Sequence, residues 1–178
     1  MYFRNIYVRP LEGDTFPIVE APDAPAEGLV NVVPPDAPIV PLPADDSPDD
    51  EGVRNAIDGD ANTKYLNFRG HREPAGFEVT IGRPAVVTAL RLTSANDAPE
   101  RDPAGYRIEG ASADGQWVEI AASSLEPFRG RHAAQAVRFD NDRAFTRYRV
   151  LFPEVRDAGS ANSMQIARVE LMAEPSEQ

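Results

Sequence analysis

The sequence predicts an all-β protein, in which an antiparallel β-sandwich follows an extended, proline-rich N-terminal arm. Ten of the 17 prolines fall within the first 50 of 178 residues. Proline lacks a backbone N–H and restricts φ, so this part of the chain cannot form long helices or central strands. After residue 53, short runs of alternating apolar and polar side chains are separated by turn residues, which is typical of a sandwich.

Residues 1–49 are predicted to form the arm. The first 50 residues contain ten acidic side chains against two basic ones, a net charge of −8. Short apolar pieces such as residues 16–19 recur among the prolines. Two interpretations stay open: a disordered acidic leader, or an arm whose apolar pieces anchor residues 1–43 on a scaffold or coat protein.

The strands are predicted between residues 50 and 174, and residues 175–178 form a tail. Along 106–110, Tyr106 and Ile108 point to one face, and Arg107 and Glu109 point to the other. The sequence Asp-Gly at 114–115 predicts a tight hairpin turn. The last strand changes phase after Ile166, which suggests a bulge. Strands are predicted at residues 77–81, 86–94, 106–110, 117–121, 136–140, 147–152 and 164–172.

Composition excludes several classes of function. The net charge of −11 argues against nucleic-acid binding, because phosphates need a surplus of cations. The sequence lacks an apolar run of about 18 residues, so no membrane insertion is expected, and it lacks an apolar stretch of signal-peptide length at its start. There is no cysteine, there are only two histidines, and no hydrolase, metalloprotease or nucleotide-binding motif is found. We therefore expect no enzymatic activity.

Four ordered segments carry a resemblance to a known family. They are residues 55–65 (NAIDGDANTKY), 86–93 (VVTALRLT), 102–117 (DPAGYRIEGASADGQW), and 148–152 followed by 164–171 (YRVLF and MQIARVEL). The set resembles the coagulation factor 5/8 type C (discoidin) domain and is similar to family 32 carbohydrate-binding modules, over about residues 50–174. The resemblance implies a galactose-binding-domain-like jelly roll with a ligand site on the loops at one end.

The resemblance also implies a structural cation, usually calcium, in the Asp-Gly-Asp loop. Asp58, Asp60 and Thr63 offer the oxygen ligands that calcium prefers, and Glu170 is the candidate ligand from the last strand. The position where the family usually has Glu holds Arg168 here. The alternatives are therefore a calcium site, an Asx-type turn with no metal, or an arginine that replaces the ion.

The loops that face the ligand in this family correspond to residues 66–73 and 94–102, and a third loop precedes the final strand. Rigid polar groups that hold sugar hydroxyls, with an aromatic ring for the C–H face, are the expected chemistry. Turn capping within 94–102 is the alternative role for its polar residues, and core packing is the alternative for Phe68. Arg131 is expected on a solvated surface. The candidate ligand-binding residues are Asn67, Phe68, His71, Asn96, Asp97, Glu100, Arg101 and Asn162.

These observations predict a non-catalytic glycan-binding module, displayed on a larger assembly or surface through its N-terminal arm. Domains of the family it resembles normally work outside cells, so we expect it on a virion surface or a bacterial cell surface, as part of an oligomer or larger assembly. The alternative is a decoration protein of a virion or another multi-subunit assembly, whose arm docks on a scaffold subunit and which binds no sugar.

Overall fold

A computed structural model describes residues 26–175 of the chain. Within this range the longest helical segments are two 3-10 turns, Val53–Ala56 and Pro99–Arg101. The strands are β1 (Val30–Asn31), β2 (Ile39–Pro41), β3 (Tyr65–Asn67), β4 (Ala75–Ala85), β5 (Val87–Thr93), β6 (Gly105–Ala111), β7 (Trp117–Ser124), β8 (Ala134–Arg138), β9 (Phe145–Phe152), β10 (Met164–Ile166) and β11 (Arg168–Ala173).

The strands form an antiparallel β-sandwich, as predicted. One sheet has the order β1-β11-β5-β8, the other has the order β2-β4-β9-β6-β7, and β10 pairs with β3 in a two-stranded ladder. All described pairings are antiparallel. The predicted strand 77–81 is longer than expected, because β4 runs along β9 from Ala75 to Ala85.

The facing sides of the two large sheets form the core. Tyr148, Val150 and Phe152 of β9 are fully buried, in agreement with their predicted alternation. The Tyr148 hydroxyl donates a hydrogen bond of 2.5 Å to the carbonyl of Ala85, which satisfies the buried phenol. Gly110 is packed beneath Phe145, since a Cβ there would meet the ring at 2.5 Å. Gly110 and Phe145 lie on β6 and β9, neighbouring strands of one sheet, so the position of the Phe145 ring depends on a residue without a side chain.

The predicted hairpin turn between β6 and β7 is confirmed. Gly115 has a φ of +81°, which glycine adopts readily, and its N–H donates to the carbonyl of Ser112 at 2.8 Å. The predicted bulge near Ile166 has a different form. The chain leaves the ladder with β3 at Ile166 and joins β5 from Arg168 onward, so the change of phase marks a change of partner strand.

The predicted boundary at residue 50 falls inside the sandwich. β1 pairs with β11, and β2 pairs with β4, so both lie at sheet edges. Val33 and Ala37 are buried in the core between these strands. Prolines suit such positions, because an edge strand needs only one set of backbone partners. The arm prediction for residues 1–25 and the end of the predicted tail, residues 176–178, lie outside the described residues.

The registers place four connections at one end of the sandwich, which we call the loop end. β4 begins beside the end of β9, β5 ends beside the starts of β8 and β11, and β6 begins beside the end of β7. The loop end therefore contains residues 68–74, 94–104, 125–133 and 153–163. Val30 pairs with Ala173 at the opposite end. Between residues 26 and 175, no helix has the length and apolarity needed to cross a membrane.

We expect a chain that begins at residue 44 to be less stable than a chain that begins at residue 26. The longer deletion removes both edge strands and the buried side chain of Val33, whose burial alone contributes about 1.5–3 kcal/mol. The midpoint of thermal unfolding should fall by about 5 °C or more. Equal midpoints for the two chains would contradict the assignment of β1 and β2 to the cooperative unit.

Candidate functional site

The β5–β6 loop, residues 94–104, lies at the centre of the loop end and is anchored at its first residue. The buried hydroxyl of Ser94 donates to the carbonyl of Gly130 at 2.9 Å and accepts from the N–H of Ala133 at 3.0 Å. The hydroxyl thus uses both its donor and its acceptor capacity. This pair of bonds connects the loop to the β7–β8 loop.

A buried lysine holds the same loop from the other side. The Nζ of Lys64 lies 3.1 Å from the carboxylate of Asp97, 3.3 Å from Oδ1 of Asn96 and 3.2 Å from Oε1 of Gln165. A carboxylate oxygen of Glu51 is 3.6 Å away. Only 9% of Lys64 is exposed. A buried ammonium group requires such a shell of oxygen atoms, because it has lost its water.

The charge of Lys64 affects the ionisation of Asp97. Partial burial alone would raise the pKa of Asp97, but the hydrogen bond and the charge of Lys64 outweigh it and hold this pKa below its ordinary value. Asp97 is therefore an anion over a wider pH range than a free aspartate.

Strained backbone marks the tip of the loop. Ala98 has φ 42° and ψ 68° and is followed by Pro99, a left-handed conformation that costs energy for alanine and is disfavoured before proline. The buried amide of Gln165 holds it there, since its Nε2 donates to the carbonyls of Asp97 and Ala98 at 2.6 and 3.2 Å. Strain held in place by neighbours is more common at functional sites than elsewhere.

Arg131 closes the far side of the β5–β6 loop, and it is not the solvated surface residue that we expected. Its Nη1 donates to the carboxylate of Asp102 at 2.8 Å and to the carbonyl of Asp97 at 2.9 Å, and its Nη2 donates to the second carboxylate oxygen of Asp102. Asp102 is only 3% exposed. Burial raises the pKa of Asp102, and the guanidinium of Arg131 opposes that shift.

The β9–β10 loop packs on the same segment. The backbone N–H groups of Arg156 and Asp157 donate to the carbonyls of Asp102 and Glu100, at 2.8 and 3.0 Å. The guanidinium of Arg156 donates to the carbonyl of Leu125 at 2.9 Å. Three loops from both sheets are thus bonded into one surface.

Several predicted ligand residues share this surface. Asn96 and Asp97 are exposed at the loop tip, and their side chains face Lys64. Glu100 and Arg101 are half-buried on the 3-10 turn, where Nε of Arg101 is buried without a hydrogen-bond partner. Asn162 is exposed in the β9–β10 loop, where its Oδ1 accepts from Ser163.

The structure gives the residues predicted in the β3–β4 loop different environments. Asn67 is 1% exposed, and its Oδ1 accepts from the N–H groups of Asp46 and Arg69 at 3.3 and 2.9 Å. Its amide shapes the loop and is unavailable to a ligand in this structure. Phe68 is 45% exposed, so it is not a core residue. His71 is half-buried, and its Nδ1 lies 3.0 Å from the carbonyl of Phe68.

The predicted calcium ligands do not come together as a set. Asp58, Asp60 and Thr63 bond to one another within one turn, while Glu170 lies on β11 opposite Arg91, with 3.6 Å between their charged groups. Arg168 donates to the carbonyl of Gly59 inside the turn. Across residues 26–175, no cluster of three or more His, Asp or Glu side chains could hold a metal. This arrangement does not fit a calcium ion, which prefers six to eight oxygens.

The sequence analysis did not identify Lys64, Gln165 and Arg131, which organise the β5–β6 loop. Two of them are nevertheless unusual residues for their positions in the sequence. Lys64 is the only lysine among 18 basic residues, and Gln165 is a polar residue between the buried Met164 and Ile166. Arg131 has no such signal, because nothing local distinguishes it from Arg129.

Solved structures that resemble this fold include an F5/8 type C domain and carbohydrate-binding modules. An F5/8 type C domain from Bacteroides fragilis superposes with a TM-score of 0.68 at 15% identity, over 84% of this chain and 99% of that one. The family 32 module of NanJ from C. perfringens, in complex with galactose, gives 0.63 at 16%, over 80% and 98%. A family 32 module from Clostridium perfringens in complex with GalNAc-beta-1,3-galactose gives 0.64 at 14%, over 80% and 99%. The discoidin-like fold predicted from the sequence is thereby confirmed.

Sequence comparison adds one curated relative. A stretch of 87 residues, 48% of this chain, is 31% identical to a peptide-N(4)-(N-acetyl-beta-glucosaminyl)asparagine amidase from Arabidopsis thaliana. The match spans 12% of the length of that amidase. No protein-family profile matches the sequence.

Replacing Lys64 by methionine should destabilise the protein by about 1–3 kcal/mol, because buried acceptors such as Oε1 of Gln165 lose their donor. Arg69→Met is the matched control, since Arg69 and Glu73 form an exposed i,i+4 pair and such pairs contribute less than about 1 kcal/mol. Chemical denaturation measures both variants. A Lys64→Met variant as stable as Arg69→Met would contradict the role of the buried ammonium.

The Lys64–Asp97 pair should also contribute to the loss of folding stability at low pH. The pKa of Asp97 is lower in the folded protein than its ordinary value of 3.8, so the unfolded chain binds more protons at low pH. The stabilisation is present above pH 3.8 and is lost as the pH falls through the pKa of the folded state. Stability measured against pH should fall less steeply in this range for Lys64→Met. Parallel curves for wild type and variant would oppose this assignment.

Proposed function

We propose that the protein is a glycan-binding module and that its ligand site is the loop end. The observation that carries the proposal is the β5–β6 loop, which is fixed by three buried or half-buried side chains and presents polar groups to solvent. Asn96 and Asp97 are exposed at its tip, and Arg101 follows on the 3-10 turn. Amide, carboxylate and guanidinium groups are suited to hold sugar hydroxyls through directional hydrogen bonds.

Preorganisation favours this surface as a binding site. Lys64, Gln165 and Arg131 bond both side-chain and backbone oxygens of the loop. A ligand would therefore not have to order the loop, and that ordering cost is one of the main terms opposed to binding. Affinity for a single small sugar would still be weak, and multivalent display would raise it.

Phe68 offers the apolar part of such a site. It is exposed at the start of the β3–β4 loop, directly after Asn67, which pairs with Met164. The β9–β10 loop that carries Asn162 precedes Met164 on the neighbouring strand, so the two loops leave this ladder at the same end. An exposed ring beside polar groups suits the mixed C–H and O–H surface of a sugar.

We also propose that the module binds glycans without hydrolysing them. Asp97 is bonded to Lys64, and Asp102 is bonded on both oxygens to Arg131. Each carboxylate is thus paired with a cation of the loop end, and neither is free for the acid or nucleophile role in hydrolysis. A glycosidase needs two carboxyl groups free to act on the bond between them.

We also propose that the module is attached to a larger assembly at the end of the sandwich opposite its ligand site. β1 lies at the end opposite the loop end, and Arg138 at the same end bonds the carbonyl of Glu27. Residue 26, the first residue that the structure describes, is thus close to the end of the sandwich away from the candidate site. The segment that would dock on a scaffold becomes residues 1–25, because β1 and β2 belong to the sandwich.

Glycan binding is tested on an array that includes galactose and GalNAc-β-1,3-galactose, followed by calorimetric titration of the hits. Arg101→Gln should weaken binding at least about tenfold, since a charge-assisted hydrogen bond contributes about 1.5–3 kcal/mol. Arg138→Gln, at the opposite end, is the matched control and should bind as the wild type does. If no glycan binds the wild type, or if the two variants bind alike, the proposed site is wrong.

Display is tested by sedimentation of the full chain and of a chain that begins at residue 26. We expect the full chain to sediment as a larger species, or to associate with a partner assembly, and the shorter chain to be monomeric with its glycan binding unchanged. If both chains are monomeric and bind no partner, display is removed from the proposal and the loop-end site is left untouched.

A further inference from the structure

We infer that the guanidinium of Arg168 is the resident cation of the loop at residues 58–63, so that this loop closes without a divalent metal ion. The inference is independent of the proposed function. It rests on the hydrogen bonds that the loop makes to its own carboxylate oxygens and on the position of Arg168 at the start of β11.

The loop is a compact turn built from its own side chains. Oδ1 of Asp58 accepts from the N–H of Asp60 at 2.8 Å, and Oδ2 of Asp58 accepts from the hydroxyl of Thr63 at 2.7 Å. Oδ1 of Asp60 accepts from the N–H and the amide of Asn62, at 2.9 and 2.8 Å. Gly59, with a φ of +87°, makes the turn possible. Three of the four carboxylate oxygens thus already have protein donors.

Arg168 brings a positive charge to the backbone of the loop that carries the two carboxylates. It is the first residue of β11, pairs with Thr93, and donates from Nη2 to the carbonyl of Gly59 between the two aspartates. The guanidinium is thus bonded to the backbone of the loop, between the two residues that carry its negative charge.

The same geometry disfavours a metal ion beside the arginine. Glu170 lies two residues further along β11, about 6.6 Å away at the usual rise of a strand, and faces Arg91. A divalent cation would also be repelled by the guanidinium. A tethered cation stabilises the loop at any ion concentration, whereas stabilisation by a free ion depends on its concentration.

Closure of this loop matters for its neighbours. Lys64, which organises the β5–β6 loop, follows directly after Thr63, and Nδ1 of His132 in the β7–β8 loop lies 3.0 Å from the carbonyl of Ala61. The guanidinium of Arg168 thus supports a turn on which two loops of the loop end depend.

The test compares thermal unfolding of the wild type, Arg168→Gln and Arg168→Glu in a chelator and in millimolar calcium. The wild-type midpoint should be the same in both solutions. Arg168→Gln should unfold about 3–10 °C lower in both, because it loses a charge-assisted hydrogen bond. Arg168→Glu should be destabilised in the chelator, and calcium should raise its midpoint, since a third carboxylate would then face the loop. Arg107→Gln, which breaks an exposed pair with Glu119, controls for simple loss of an arginine.

Three results would each overturn the inference. They are a wild-type midpoint that rises with calcium, an Arg168→Gln variant as stable as Arg107→Gln, and an Arg168→Glu variant that ignores calcium. Titration of calcium into the folded wild type by calorimetry adds a measurement that does not depend on any variant. Heat of binding at a single site would count against the tethered cation, and no heat would support it.

Discussion

The buried ammonium group of Lys64 is the interaction on which the architecture of the loop end depends. It lies where β3, β10 and the β5–β6 loop meet, and its hydrogen bonds reach both sides of that junction. Burying a charge is costly unless its whole shell is satisfied. The oxygens around Lys64 therefore have to be in place together, and this requirement fixes the loop in one arrangement.

Lysine and arginine have different roles in this protein, for reasons of shape. Lys64 occupies a small site with oxygens in several directions, which suits a compact ammonium with rotatable donors. Arg131 instead binds both oxygens of Asp102 and a backbone carbonyl, as its planar fork of donors allows. Arg168 reaches a carbonyl within a turn. Lys64 and Arg131 both bond the β5–β6 loop, and Arg168 bonds the turn at residues 58–63, so three cations hold the surface that we propose as a binding site.

The division of the molecule into two ends follows from antiparallel pairing. Each hairpin returns the chain to the end where it began, so connections alternate between the ends. The loop end contains residues 94–104, which Lys64, Gln165 and Arg131 hold in place, and the opposite end contains β1. The surface that we propose as a binding site and β1 therefore lie at opposite ends of the sandwich.

The sequence by itself determined the fold class, the inward faces of β6 and β9, and the hairpin turn at Gly115, because alternation and turn chemistry are local properties of a chain. Only the tertiary structure decided which strands pair, and this changed the interpretation of particular residues. The segments of β1 and β2 look like proline-rich linker until β11 and β4 provide partners for them. Asn67 looks like an exposed loop residue until the segment near Asp46 covers it. Arg131 and Arg129 look alike until Asp102, 29 residues from Arg131 in sequence, is placed beside one of them. Long-range pairing depends on contacts between distant segments, and no local pattern of side chains encodes it.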